Sequence, residues 1–478
     1  MTTDLPDGPG DQLVFNGVDL ETGGYLFPPA PLDVVVEVIS GTSQPGRQTA
    51  ELRARAQADR EDHLAVVHGR DPLHLDQVGW GLVAADDVGD DVLEALAPLC
   101  ELRAGQAGEL FRLLKGPDDG VHAGEGKQSF LIRHQVAAMD VVDPRDLPYY
   151  LLLVGDPARL SYEMQYQLDV QYGVGRLNFD TIEEYAQYAQ NVVAAEGAQR
   201  PAGQGPRVQV FAPRNPGDLP TALSASRLAA PLADDLAAAA TVGSDIGEQA
   251  TRARLGELVS GPSRTDVLFT ATHGLGTAGP QQRELQGALL CQEWAGPTER
   301  PGPLGRDRYL AGGDLDSAVP VSAGIVFSFG CYSAGTPRTT DFVGAPAAAA
   351  SADPPFVARL PQALLRHPKG GCLAFVGHVD RAWNCSFLWK SLQPRILPFS
   401  TSIKALLSGA PLGLATEYIS ARYATAATDL ATLLHRARAE GYVIDDRELT
   451  QLWLAANDAR NFVVVGDPAV RLPAGQGG

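Results

Sequence analysis

The chain has 478 residues, 45% of them hydrophobic and 20% charged, with a formal net charge of −19. That length accommodates two or three domains, and the composition fits a soluble globular protein. Phosphate recognition needs a basic surface, so the acidic balance and the lack of any Lys/Arg cluster exclude nucleic acid as a partner.

Residues Met1–Leu20 are acidic and carry Gly and Pro, with no basic n-region and no apolar h-region, so no secretory signal is expected. No apolar run is long enough to cross a bilayer, and no membrane partner is expected. Five cysteines (Cys100, Cys291, Cys331, Cys372, Cys385) are widely spaced, odd in number and free of any C-x-x-C. Neither a disulfide framework nor a zinc site follows, and a reducing cytoplasm fits best.

In chain order, Met1–Gly10 reads as a tail and Pro31–Ser40 ("PLDVVVEVIS") as a strand, with a helical Arg/Ala/Glu pattern within Gly41–His63. From Val78 the pattern becomes α/β. Trp80–Ala85 is a short apolar strand, and the Leu/Ala spacing of Asp91–Leu114 suits one or two helices. Tyr149–Leu160 ("YYLLLVGDPARL") is a buried strand leaving through a Gly-Asp-Pro turn. A helix opens at Asp180 or Thr181, with Glu183 or Glu184 in its first turn. Gly197–Pro206 is the clearest linker.

A second α/β pass follows. Arg207–Pro213 is a strand, and Thr221–Ala238 is a helix interrupted near Pro231. Thr265–Gly274, the run beginning at Gly324, and Gly370–Val379 are strands, and Phe462–Leu472 ("FVVVGDPAVRL") closes the chain. Strands alternating with helices imply a mainly parallel sheet covered on both faces. The two Val-Gly-Asp-Pro stretches are either ordinary strand exits or the mark of two related halves.

Two strand ends carry chemistry. "VLFTATHGLG" delivers His273 followed by Gly274, and "IVFSFGCYSAG" delivers Cys331 preceded by Gly330. In an open parallel sheet, functional residues gather at the carboxyl ends of strands. A thiol needs a base or an imidazolium to become a useful thiolate near neutral pH, and histidine titrates there. The Gly274 and Cys331 N–H groups would form an oxyanion hole. Taken singly, the cysteine reads as a small buried hydrophobe and the His-Gly pair as a turn. Ser333–Gly335 reads as the turn into a following helix. Cys291 sits in an apolar run without a nearby His and reads as structural. His378 and Asp380 lack a third ligand at metal spacing, so no metal is expected.

The strand–His-Gly and strand–Cys-small pattern resembles the caspase-haemoglobinase fold of clan CD cysteine peptidases, and within that clan the gingipain-type family. "PYYLLLVGDP", "VQYGVGRLNFDTIEEYAQYA", "GHVDRAW" and "NFVVVGDPAVRL" support the likeness, which spans roughly residues 75–473. It implies an N-terminal α/β subdomain at 75–200 and a caspase-like catalytic domain at 205–473, with residues 1–74 an extension outside the match. It further implies Cys331 as nucleophile, His273 as its base or imidazolium partner, and Trp383 on the wall of the S1 pocket, with a core anchor as the other reading of Trp383. Asp380 would pair a basic P1 side chain and Arg214 an acidic one, the basic being slightly favoured. No residue orienting His273 is readable from spacing; Asp218, near the first strand of the catalytic domain, is a candidate.

These readings converge on a cytoplasmic, regulated cysteine endopeptidase acting on protein or peptide substrates without a cofactor. The absent secretory signal departs from the secreted gingipains and leaves room for a regulatory protein partner. Two alternatives stand beside it: a catalytically quiet scaffold or binding module, and another Cys-His hydrolase or transferase.

Overall fold

The structure, a computed structural model, describes residues 12–13, 17–25, 30–31 and 66–473, apart from 139, 199, 201–202, 298–301, 341–350, 390 and 441. The expected tail at Met1–Gly10, the strand beyond Pro31 and the helix within Gly41–His63 lie outside the described residues.

Short runs of β-formers with few polar interruptions build one ten-stranded sheet. Its strands, in chain order, are β1 (Trp80–Ala84), β2 (Phe111–Leu114), β3 (Tyr150–Val154), β4 (Gly173–Leu177) and β5 (Arg207–Ala212), followed by β6 (Thr241–Ile246), β7 (Thr265–Ala271), β8 (Ala323–Phe329), β9 (Ala374–His378) and β10 (Phe462–Gly466). Every residue of β1, β3, β4, β7, β9 and β10 is buried. Burial on both faces is what helices packed over a parallel sheet produce. The spatial order is β2-β1-β3-β4-β10-β9-β8-β7-β5-β6. β2 and β6 form the edges and are the least buried strands.

All neighbours run parallel except β9 and β10, which pair antiparallel from Ala374↔Gly466 to His378↔Phe462. The sheet is thus two parallel sets of five strands joined along one antiparallel seam. Both Val-Gly-Asp-Pro strands, β3 and β10, belong to the same set, with β4 between them, so the echo does not mark one copy per set. The second of these turns is structural. Asp467 accepts from Trp80 Nε1 at 2.9 Å and from the buried Arg103 Nε at 2.7 Å, and Arg103 also pairs with Glu196.

Several local expectations change. The Asp91–Leu114 run forms helices Asp90–Ala95 and Ala97–Ala107 but ends as β2. The interruption ahead of Pro231 is a π-helical turn, Ser224–Ala229, within an otherwise helical run. No helix directly follows Cys331. Gly335–Thr336 instead pairs antiparallel with Phe356–Val357, and among the described residues the next helix is Arg359–Leu365.

Candidate active site

β7 and β8 are adjacent and in register from Thr265↔Ala323 to Ala271↔Phe329, and the pairing continues with Thr272 N donating to Phe329 O at 3.0 Å. His273 and Cys331 therefore leave the same sheet edge side by side, as strand-end chemistry requires. The residue after the histidine must be glycine. A Cβ on Gly274 would land on the Cys331 carbonyl oxygen and lie 3.1 Å from its nitrogen. The two strand exits press their backbones together there.

Past the end of β5 the chain turns, and Asp218 caps the short helix Leu219–Leu223. It accepts from Thr221 N at 2.9 Å and Thr221 Oγ1 at 2.6 Å. The same Oδ2 lies 3.0 Å from His273 Nε2, with both side chains buried. Oδ1 accepts from the Tyr25 hydroxyl at 2.8 Å. Burial opposes the Asp218 charge, but the His273 imidazole and the Thr221 donors outweigh it and hold the carboxyl down at about 2. An ionised Asp218 takes a proton-bearing Nε2, so at neutral pH Nε2–H donates to it. Gly17 N donates to the opposite ring nitrogen, Nδ1, at 2.9 Å. The Trp294 ring meets the imidazole edge-on at 5.5 Å between centroids.

Cys331 is fully buried. Ala382 N donates to its sulfur at 3.3 Å. Burial pushes the thiol up to about 12, against the Ala382 N–H and the nearby Arg381 guanidinium, which favour the thiolate. No hydrogen bond joins Cys331 to His273. Two non-glycine residues with left-handed backbone flank the thiol, Tyr332 at φ +56° and Asp380 at φ +74°, tied together by Tyr332 N donating to Asp380 O at 2.6 Å. Such conformations cost of order 1–3 kcal/mol each and persist where surrounding structure enforces them.

Asp380 is already paired: Arg381 Nε lies 3.6 Å from its Oδ1, and both residues are buried. It is not presented as an open acceptor for a basic side chain. Trp383 is buried in the main core, and its N–H donates to Asp458 at 2.7 Å. Arg214 is exposed at the end of β5, two strands from Cys331, with its backbone bonded to Gln292. Cys291 is buried, its thiol is raised by burial, and its sulfur donates to Leu289 O at 3.5 Å. His378 faces Asp458 at 3.3 Å, in turn near Arg422 at 3.5 Å. Among the described residues no group of three His, Cys, Asp or Glu could hold a metal, and no helix is long and apolar enough to cross a membrane.

Sequence reasoning reached His273, Cys331 and Asp218 but passed over Gly17, Tyr25, Thr221, Trp294 and Arg381. The only local sign that residues 17–25 belong to the site is the alternation of Val18 and Leu20.

Solved structures similar to this chain include the following. One, described as the structure of a protease, shares 14% identity over 82% of this chain and 78% of its own, with a TM-score of 0.46. The complex of the pro- and mature domains of Porphyromonas gingivalis RgpB shares 11% over 82% and 79%, with a TM-score of 0.42. The Saccharomyces cerevisiae separase–securin complex shares 10% over 67% of this chain and 16% of that one, with a TM-score of 0.30. No protein-family model and no curated protein matches the chain.

Proposed function

We propose that the chain is a caspase-like cysteine endopeptidase. The observation that carries this reading is the buried Asp218–His273 pair at the end of β7, one strand from Cys331 at the end of β8. A carboxylate that fixes the tautomer and orientation of a histidine beside a cysteine is the arrangement that activates a thiol for acyl transfer.

With Nε2 committed to Asp218, Nδ1 is the nitrogen left to serve the thiol. Proton transfer from Cys331 to Nδ1 gives a thiolate and an imidazolium stabilised by Asp218. The thiolate attacks the scissile carbonyl, and the C–N bond breaks as Nδ1–H protonates the leaving amine. The acyl-enzyme thioester is then hydrolysed by a water that gives its proton to Nδ1. The Gly274 and Cys331 amides, which have no acceptor among the described residues, are the donors proposed for the oxyanion.

Labelling by a peptidyl electrophile tests this. Wild type should be modified at Cys331 and should cleave peptides, Cys331→Ala should do neither, and His273→Ala should lose cleavage. A second reading, a catalytically quiet binding module, draws on the enclosed thiol. It gains if cleavage by wild type and Cys331→Ala is indistinguishable.

A further inference from the structure

Residues 17–25 lie across the site they help to enclose. Val18–Asp19 pairs in parallel with Leu275–Gly276, the residues that follow His273-Gly274. Val18 N donates to Gly274 O at 3.4 Å and Leu20 N to Gly276 O at 3.1 Å. Val18 and Leu20 are buried with Leu275, Leu290 and Trp294, and Trp294 Nε1 donates to Gly23 O at 2.9 Å. The strand is thus seated by main-chain ladder bonds and by apolar pockets for alternate side chains, which is how an extended peptide binds a sheet edge.

The polarity of one bond gives this strand a chemical meaning. Gly17 N–H donates to His273 Nδ1, so Nδ1 is bare and the imidazole neutral. That is the state of a cysteine peptidase just after the leaving amine has received its proton: N–H on the departing nitrogen, none on the ring nitrogen facing it. Gly274 ties the position to the nucleophile, since its backbone lies against that of Cys331.

We propose that the edge beside Leu275–Gly276 is the binding site for the leaving-side peptide of a substrate, an extended strand with glycine first and an apolar residue second, and that Gly17–Tyr25 occupies it in cis and keeps the enzyme latent. This rests on the peptidase reading above. While Gly17 holds Nδ1 and Asp218 holds Nε2, neither ring nitrogen can take the Cys331 proton. Substrate must displace the strand, or something else must lift it.

Gly17→Pro in the full chain tests the proposal. Gly17 sits at φ +112°, where proline cannot follow, and proline has no N–H to give. Alkylation of Cys331 by iodoacetamide, followed by mass spectrometry, should quicken roughly tenfold, the scale of losing one buried hydrogen bond of the latch. An unchanged or slower rate overturns the proposal, a slower one meaning that Gly17 serves to orient His273. Should Gly17→Pro fail to fold by near-ultraviolet circular dichroism, the Val18→Ala/Leu20→Ala double variant, which weakens the seat and leaves the backbone intact, decides by the same reading.

An acetylated peptide of residues 17–25 should slow alkylation of the double variant where a scrambled one does not, and equal behaviour of the two peptides overturns the binding site. Peptide cleavage separates the two claims. Faster alkylation with no cleavage of any peptide leaves the latch standing and sinks the peptidase. Equal cleavage by wild type and the opened variants does the reverse.

Discussion

Asp218 is the residue on which most of the site converges, with His273, Tyr25 and Thr221 all bonded to it. Asp218→Asn keeps the shape but offers an amide that can donate where a carboxylate only accepts, favouring the wrong tautomer of His273. Cleavage should fall roughly 10²–10⁴-fold, measured as kcat/KM. The same residue has a signature in acid. Its folded pKa lies below that of a free carboxyl, so its stabilisation is present above about pH 4 and fades as pH falls toward 2. Native-state stability from urea titrations should lose about 2 kcal/mol across that window in wild type, and this part of the slope should vanish in Asp218→Asn. Cys331 predicts the opposite kind of test. With its thiol pushed up to about 12, alkylation in the native protein at neutral pH should be at least roughly 10²-fold slower than in urea. Asp218 could be suspected from its place just after a strand. Its Tyr25 partner lies 193 positions away in sequence, a pairing that no spacing rule reaches.

At the scale of elements, the central strands were legible because burial on both faces demands runs of apolar β-formers, as in β3 and β10. The edges were not. β6 reads Thr-Val-Gly-Ser-Asp-Ile and stays partly exposed, so its composition resembles a loop, while β2 is four residues trailing a helical pattern. The histidine and cysteine stood out as strand exits, but the meeting of those exits depends on the parallel pairing of β7 with β8. Gly274 turns that pairing into a prediction. Gly274→Ala puts a methyl into the Cys331 peptide, where backbone must move, and should cost about 3 kcal/mol or more in a denaturation midpoint series. The buried Arg103 between Asp467 and Glu196 makes a second. Arg103→Ala leaves Asp467 buried without its charge partner and should destabilise by about 3–5 kcal/mol in the same series.

For the whole molecule, the decisive element is β10. It comes last in the sequence yet sits fifth in the sheet, bonded in parallel to β4 and antiparallel to β9. A chain ending at residue 461 should leave two unpaired strand edges and elute from size exclusion as aggregate, not monomer. The seam also sets a clock on the protein's own synthesis. His273 and Cys331 are made first, while Asp458, which backs His378 and the Trp383 amide, and β10, which closes the sheet behind them, are made more than a hundred residues later. At ordinary translation rates that is on the order of ten seconds in which the Cys331 thiol exists without its finished frame. An unfinished or prematurely terminated chain therefore carries His273 and Cys331 but should not acquire the finished candidate site. Ribosome-arrested chains ending before Phe462 should leave Cys331 as reactive as in the unfolded protein, and an enclosed thiol in such chains would show that the frame forms without its last strand.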